Sequence, residues 1–422
     1  MSQRIHASMV TKRKYSFHYG IFKIPAWFYS FVPFKIATGG ASILLPLYLL
    51  SLGGGASDVG VMNALASFAS MTGTLFWGNL SDRTLKRRVF ISLGFASTSV
   101  FLALFAIVDN PRELILVNMA YAFFLATTIS VPVVLVLRSV RKTYWDYGLG
   151  KFNEISGWGW VFGLAIGLTL SKFISMSASF LLFAIISFPS ILMGMKSIRE
   201  IPIYINRDAI RTFRNTVIQK ARYAPGFVLH MPTRDSFKKL SKFRSLYTSF
   251  FLLWIASGLY FSQVPVFLTY NGFTREEIYA ISIANAALSA FMYTQVGIKL
   301  KSRENYGVLR SGLVMRLAAI LAILGAVFLS KFALPLVLLS YLLAGYSWSF
   351  ISISGTSIVG KLAGEKEKGT AMGTYNLVNS LGMIVGSLSS GFIVESFGFA
   401  SEYSLAFIFV LLSILPLKSK AL

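Results

Sequence analysis

The chain contains no cysteine, which excludes structural disulfides, thiolate metal sites and cysteine nucleophiles. Acid is scarce as well: 16 Asp and Glu stand against 40 Lys and Arg in 422 residues. The 3 histidines, His6, His18 and His230, fall in polar segments, and no nucleophile, metal or phosphate-loop pattern accompanies them. Enzymatic activity, a metal and a cofactor are therefore not expected. Residues 1 to 28 are polar and basic, without the compact apolar stretch of a cleavable signal peptide. Only 13% of the chain is charged, whereas 55% is hydrophobic and the mean hydropathy is +0.66. A soluble protein of this length needs far more polar surface. Apolar runs longer than about 18 residues recur from end to end, and a bilayer is the environment that accommodates them.

Breaking these runs at Gly, Pro and charge clusters places twelve spans: 29–51, 57–80, 89–109, 113–136, 154–173, 177–195, 246–269, 275–298, 307–329, 332–357, 371–394 and 400–417. The expected organisation is a segment 1–28, a six-helix bundle 29–195, a basic linker 196–245, a second bundle 246–417 and a tail 418–422. With the N-terminus inside, the cytoplasmic side collects 34 Lys and Arg against 4 on the other side. Both termini are therefore expected in the cytoplasm, at the cell membrane. The net charge of +24 is accordingly read as a record of topology, and a nucleic-acid partner is not expected. The linker alternates basic and apolar residues between Arg207 and Arg222, a pattern suited to an amphipathic helix on anionic lipid, with a solvated linker as the alternative.

The halves echo one another. A shift of 223 aligns Gly150, Phe152, Asn153, Gly159 and Gly163 with Gly373, Tyr375, Asn376, Gly382 and Gly386, and a shift of 219 brings Gly78 onto Gly297. Duplicated bundles around a midplane site are a common plan for secondary transporters.

After span 2 stands Gly78-Asn79-Leu80-Ser81-Asp82-Arg83-Thr84-Leu85-Lys86-Arg87-Arg88. In position and in Gly78, Asp82, Arg83, Arg87 and Arg88 it resembles the signature loop of the major facilitator superfamily, with Thr84 and Leu85 where a second glycine is usual. The resemblance extends over the twelve spans. It implies an all-α polytopic membrane protein of two pseudo-symmetric six-helix bundles, acting as a permease for a small organic solute by alternating access, and a monomer. It also implies that the loop latches the cytoplasmic face, with the start of span 11 near Gly369 and Thr370 as partner. For Arg87 and Arg88, anchoring at lipid headgroups is the alternative. Multidrug efflux is a second reading, weakened by Leu164, which replaces the proline of the superfamily's antiporter signature. A membrane sensor or lipid scramblase on the same fold is a third.

Small residues recur at every fourth position in span 5 (Gly159, Gly163, Gly167) and span 11 (Gly382, Gly386), a spacing for close helix packing that suits the seam between rocking halves. By the resemblance, spans 1, 4, 7 and 10 line the cavity. Candidates there are Asn118, Tyr121, Trp254, Tyr260, Gln263, Tyr341, Tyr346 and Trp348, with Asn376 added by span 11. Aromatic faces with dispersed neutral donors suit a neutral or weakly charged organic solute. Asn118 reads equally as interhelical glue. Two cations lie inside spans: Lys35, read first as snorkelling to the interface and second as a ligand group, and Arg316, read as structural first and anion-binding second. Every acid is placed at a span end or on the cytoplasmic side. The loop reading makes Asp82→Asn shift the conformational balance toward the inward-open state; unchanged accessibility of single cysteines engineered on the two faces would refute it.

Overall fold

A computed structural model describes residues 24–84, 86–139, 145–198, 243–302, 305–363 and 368–417. Among them every regular element is a helix. Span 1 is Phe31–Ser51, entered through a short 3-10 turn Ala26–Ser30; span 2 is Ala56–Thr84 and span 3 Arg87–Phe105. Span 4 comes in two pieces, Pro111–Leu125 and Thr127–Ser139, followed by span 5, Trp145–Leu170, and span 6, Met176–Ser197. Spans 7 to 10 are Arg244–Tyr270, Arg275–Ser302, Asn305–Phe328 and Ala333–Leu362. Spans 11 and 12 run together as Lys368–Ile414, divided where Gly398 adopts φ 77°. Several helices outrun the expected spans, span 5 by nine residues at its start, because helices continue past the hydrocarbon into the interface, where Lys151 and Glu154 pair at 2.7 Å. Most of the linker lies outside the described residues.

The break in span 4 has a local cause. The Ile129 amide turns back to the Ala126 carbonyl at 3.1 Å, so the Leu125 carbonyl loses its helical donor. The Thr128 hydroxyl donates to it at 2.7 Å, and Thr127 does the same for Phe124 at 2.9 Å. Pro132, with no N–H, follows one turn later. Hydroxyl groups thus satisfy carbonyls that a bilayer cannot solvate.

The internal repeat is visible in the backbone. After span 1 the amides of Leu52, Gly53 and Gly54 bond the carbonyls of Tyr48, Leu50 and Leu49; after span 7 those of Asn271, Gly272 and Phe273 bond Phe267, Thr269 and Leu268. Gly53 and Gly272 both have positive φ, 90° and 76°, which a side chain would strain. Asp58 then accepts from the Gly55 amide and Glu277 from the Thr274 amide, capping spans 2 and 8. Pro46 and Pro265 interrupt spans 1 and 7. Each of these pairs is offset by 219.

Helix-to-helix approach follows the same repeat. A Cβ on Gly163 would overlap the Ile36 carbonyl oxygen, and one on Gly386 the Ile255 carbonyl oxygen. Gly159 meets Val32 and Lys35, while Gly382 meets Phe251 and Trp254. These glycines seat span 5 on span 1 and span 11 on span 7, inside each half. This corrects their expected place at the seam between the halves: of the five, Gly167 alone faces the other half, against the Tyr279 ring of span 8. The small-residue faces are used for packing within bundles, where backbones must come close.

The halves meet through span 2 against span 11 and span 5 against span 8. Nine helices among the described residues are long and apolar enough to cross a membrane by composition alone, spans 11 and 12 counting there as one. Spans 5 and 8 fall short, and they form one of the two pairs that join the halves. Lipid faces are plain elsewhere: Leu381, Val385, Leu388 and Phe392 form an exposed helical stripe on span 11. At the end carrying the turns at Gly53, Gly272 and Gly398, here the far end, the cores of the halves merge. Leu47 joins the C-terminal core, and Val266, Tyr279 and Val394 join the N-terminal one. At the opposite, near end each half keeps its own cluster: Trp27, Phe31, Phe95 and Phe152 in one, Met292, Val296, Val308 and Phe350 in the other.

Gly163→Ala should destabilise the detergent-solubilised protein by about 1–3 kcal/mol through overpacking. Gly150→Ala, with nothing within 4 Å of the added Cβ, should gain about 0.5–1 kcal/mol. Thermal unfolding of the two variants checks the contrast.

Candidate functional site

The far end is sealed by polar contacts across both seams. A Cβ on Gly60 of span 2 would lie 2.6 Å from the Ser387 carbonyl oxygen of span 11, and one on Gly391 would overlap Ala56 and Ser57. Gln263 of span 7 donates to the Ala56 carbonyl at 3.0 Å and to Ser390 Oγ at 2.9 Å. Glu395 accepts from the Ser57 amide at 2.8 Å and from its hydroxyl. On the other seam the Tyr279 hydroxyl donates to the Gly40 carbonyl at 2.8 Å, and Ser171 donates to Glu276 at 3.2 Å. Lower down, Thr294 Oγ1 donates to Glu154 at 2.8 Å.

Below the seal the interior faces are accessible. On span 5, Gly159 and Gly163 point to span 1, whereas Glu154 and Gly157 point to span 8. Asn153 and Trp160, seven residues apart and on one helical face, fall between those directions and so look into the space between the halves. Asn153 is exposed and Trp160 half-buried. Asn376, the repeat of Asn153 on span 11, is exposed too. The sequence pattern held both asparagines in its alignment, yet only Asn376 was expected as a cavity residue.

One wall holds Lys35. Its stem presses on Gly159, whose Cβ would lie 3.0 Å from its own, and its Nζ lies 5.3 Å from the Phe34 ring centroid and 5.7 Å from that of Trp160. Gly159 is five residues past Glu154, roughly 8 Å at the helical rise. Lys35 is half-buried there, with its ammonium turned onto aromatic faces. The opposite wall holds Trp254, which occupies the repeat position of Lys35. Its ring meets that of Trp348 edge-on at 5.6 Å, and Trp348 bonds the Tyr293 hydroxyl. The Trp254 indole N–H is buried and has no hydrogen-bond partner among the described residues, while Ser352 bonds the Tyr293 hydroxyl and Asn379 that of Tyr375.

The Major Facilitator Superfamily model matches residues 28–387 and 314–419. The chain belongs to the major facilitator superfamily. Among curated proteins it is similar to an uncharacterized MFS-type transporter of Methanocaldococcus jannaschii, 34% identical over 58 residues. That match spans 14% of this chain and 15% of the relative's length. Among solved structures, nucleoside transporter NupG superposes with a TM-score of 0.67 at 17% identity, covering 93% of this chain and 97% of its own. The human organic anion transporter MFSD10 gives 0.67 at 16%, covering 94% and 98%. A peptide transporter POT in complex with sulfate gives 0.67 at 14%, covering 92% and 93%. At such identities these likenesses show the fold.

Within this superfamily fold the expected site residues divide. Trp254 and Trp348 come together edge-on, and Asn376 is exposed. Gln263 belongs to the far seal. Tyr121 packs edge-on against Phe105 of span 3 and bonds Thr98, inside its own bundle, where Asn118 one turn earlier is also buried. Tyr260 pairs with Ser340 at 2.7 Å, whose hydroxyl donates to the Ala319 carbonyl, and Tyr341 is buried beside it. Those tyrosines tie spans 7, 9 and 10 together, so they are corrected from cavity lining to bundle core. Tyr346 stacks on Phe350 and lines a separate depression of about 520 Å3 with Lys299 and Met315. Arg316 is buried, donates to the Ala344 carbonyl at 3.3 Å and lies 5.1 Å from the Phe261 ring.

In the loop after span 2, Arg87 is buried at the start of span 3 and Arg88 reaches the Met195 carbonyl of span 6 at 3.5 Å. The side chains of Asp82 and Arg83, and of Gly369 and Thr370 opposite, lie outside the described residues. Gly78 lies on span 2.

Glu402 was missed. Placed among the span ends by sequence, it is fully buried on span 12, and neither carboxyl oxygen has a hydrogen-bond partner among the described residues. The adjacent Tyr403 hydroxyl is likewise unpaired and buried, its ring stacked on Phe399. A buried carboxyl without partners destabilises a bundle. Glu402→Leu should therefore raise the unfolding free energy by about 1–3 kcal/mol, measured by thermal unfolding in detergent; a fall would show that the carboxyl makes a bond of its own.

Proposed function

We propose that this chain is a permease of the cell membrane that moves a small organic solute by alternating access. The observation that carries this reading is the merging of the two cores at the far end while they stay separate at the near end. Between the two lies a space walled by Lys35, Trp160, Trp254 and Trp348. A cavity closed on one side and accessible on the other is one of the two states that alternating access requires. The Lys and Arg asymmetry makes the near end cytoplasmic, so the conformation faces inward, with both termini inside. The bundles 29–195 and 246–417 are then the rocking units and 196–245 their tether on the inner leaflet. The loop from Gly78 to Arg88 sits on the side that must close in the return state. Solutes carried by structural neighbours, namely nucleosides, organic anions and peptides, define the panel to try first.

The absence of native cysteine makes a decisive experiment simple. Ser57→Cys and Glu395→Cys, bridged by a short reducible thiol crosslinker, hold span 2 to span 11 at the far end. In proteoliposomes the bridged protein should lose at least about tenfold of its solute flux, with recovery on reduction. Undiminished flux while bridged would rule out alternating access through this seam, and lipid movement without solute flux would favour the scramblase reading.

A further inference from the structure

We propose that Lys35 is the anion-recognising group of the cavity, and that the solute class is a small organic anion with a flat apolar body. This rests on the permease reading and names the chemistry of its site.

Three observations converge on Lys35. First, its position: the offset of 219 that pairs Ile36 with Ile255 and Gly39 with Gly258 pairs Lys35 with Trp254. The packing confirms that pairing, since Gly39 meets the Trp160 backbone as Gly258 meets that of Met383, and Gly159 meets Lys35 as Gly382 meets Trp254. Lys35 and Trp254 therefore stand at the same depth on either side of the pseudo-two-fold axis, where a solute touches both halves at once.

Second, its charge is unanswered. The Lys35 ammonium has no hydrogen bond or ion pair among the described residues; it lies over the faces of Phe34 and Trp160. Glu154, the acid of the neighbouring span, is engaged by Lys151 at 2.7 Å and Thr294 at 2.8 Å. Glu402 lies in span 12 of the other half, beside Tyr403. An ammonium within a membrane span without an anionic partner is unfavourable, and aromatic faces offset only part of that. An anion arriving from solution supplies the remainder.

Third, the amine is reachable. It lies over Trp160, on the face of span 5 that looks between the halves, above the exposed Asn153, and it is itself half-buried. Arg316, the other cation inside a span, is 2% exposed and enclosed by spans 7, 9 and 10, so it cannot meet a solute. The apolar half of the ligand follows from what surrounds the charge. The Trp160 ring lies beside it, and the perpendicular Trp254 and Trp348 rings stand on the opposite half.

The test uses the full chain in proteoliposomes and in detergent. Benzenesulfonate, benzoate and phenyl phosphate serve as anions and uridine as a neutral, membrane-impermeant control. Wild-type protein should carry at least one of the anions, and Lys35→Gln should reduce that flux at least tenfold while eluting as a monodisperse peak. The same anion should raise the melting temperature of the wild-type protein in a concentration-dependent way, and benzyl alcohol should not; this arm needs no variant. Uridine flux without anion flux overturns the anion assignment and leaves the permease. Anion flux retained in Lys35→Gln overturns the role of Lys35. No flux of any solute, with no thermal shift, overturns both readings.

Discussion

Close backbone approach is the constraint on which the structure depends. In hydrocarbon there is no hydrophobic gain from bringing two apolar helices together, so association relies on dispersion and on polar contact at short range. Gly163 against Ile36, and Gly386 against Ile255, bring main chain to main chain in each half. Those two contacts orient spans 1 and 5, and spans 7 and 11, and thereby aim Lys35, Trp160 and Trp254 into one space. A side chain at either glycine would turn the cavity wall as well as loosen the bundle.

The seams add polar contact to that packing. Gly60 and Gly391 bring spans 2 and 11 close, and around them hydroxyls, amides and carbonyls bond across the halves, such as Gln263 on Ala56 and Tyr279 on Gly40. Such bonds are individually worth about 1 kcal/mol, enough together to hold one end shut and few enough to be exchanged for others.

Much of the fold was legible in the sequence because a bilayer enforces a coarse code. Helix length, apolar runs and the 34 to 4 charge asymmetry depend on the solvent, not on neighbours. The site was legible only in part, because it depends on which face of a helix looks where. Gly159 and Gly163 show small-residue spacing plainly, but the spacing does not say whether the partner is span 1 or span 8. Tyr260 and Trp254 are equally aromatic and lie on one helix, yet one closes a bundle core and the other a cavity wall. Depth misleads in the same way. Glu395 and Glu402 flank the Gly398 turn by a few residues, and one is exposed and bonded to Ser57 while the other is fully buried. Lys35 stands only six residues after the start of the apolar run, and what sets it apart is tertiary, its contacts with Gly159 and the Trp160 ring. The signal that could have found it was the repeat itself, had the offset of 219 been followed from Pro46 and Pro265 to Lys35 and Trp254.

Those two prolines bear on how such a molecule moves. Each lacks the N–H that would close the helical ladder to the residue four earlier, Ser42 and Phe261, and each lies on the far side of a seal contact of its own span, Gly40 in one and Gln263 in the other. The tips of spans 1 and 7 are therefore joined to their own helices by one bond fewer than any neighbouring turn. Bending there moves the tips without breaking the Gly40 and Gln263 bonds, so opening to the far side would take the parting of the bundles themselves.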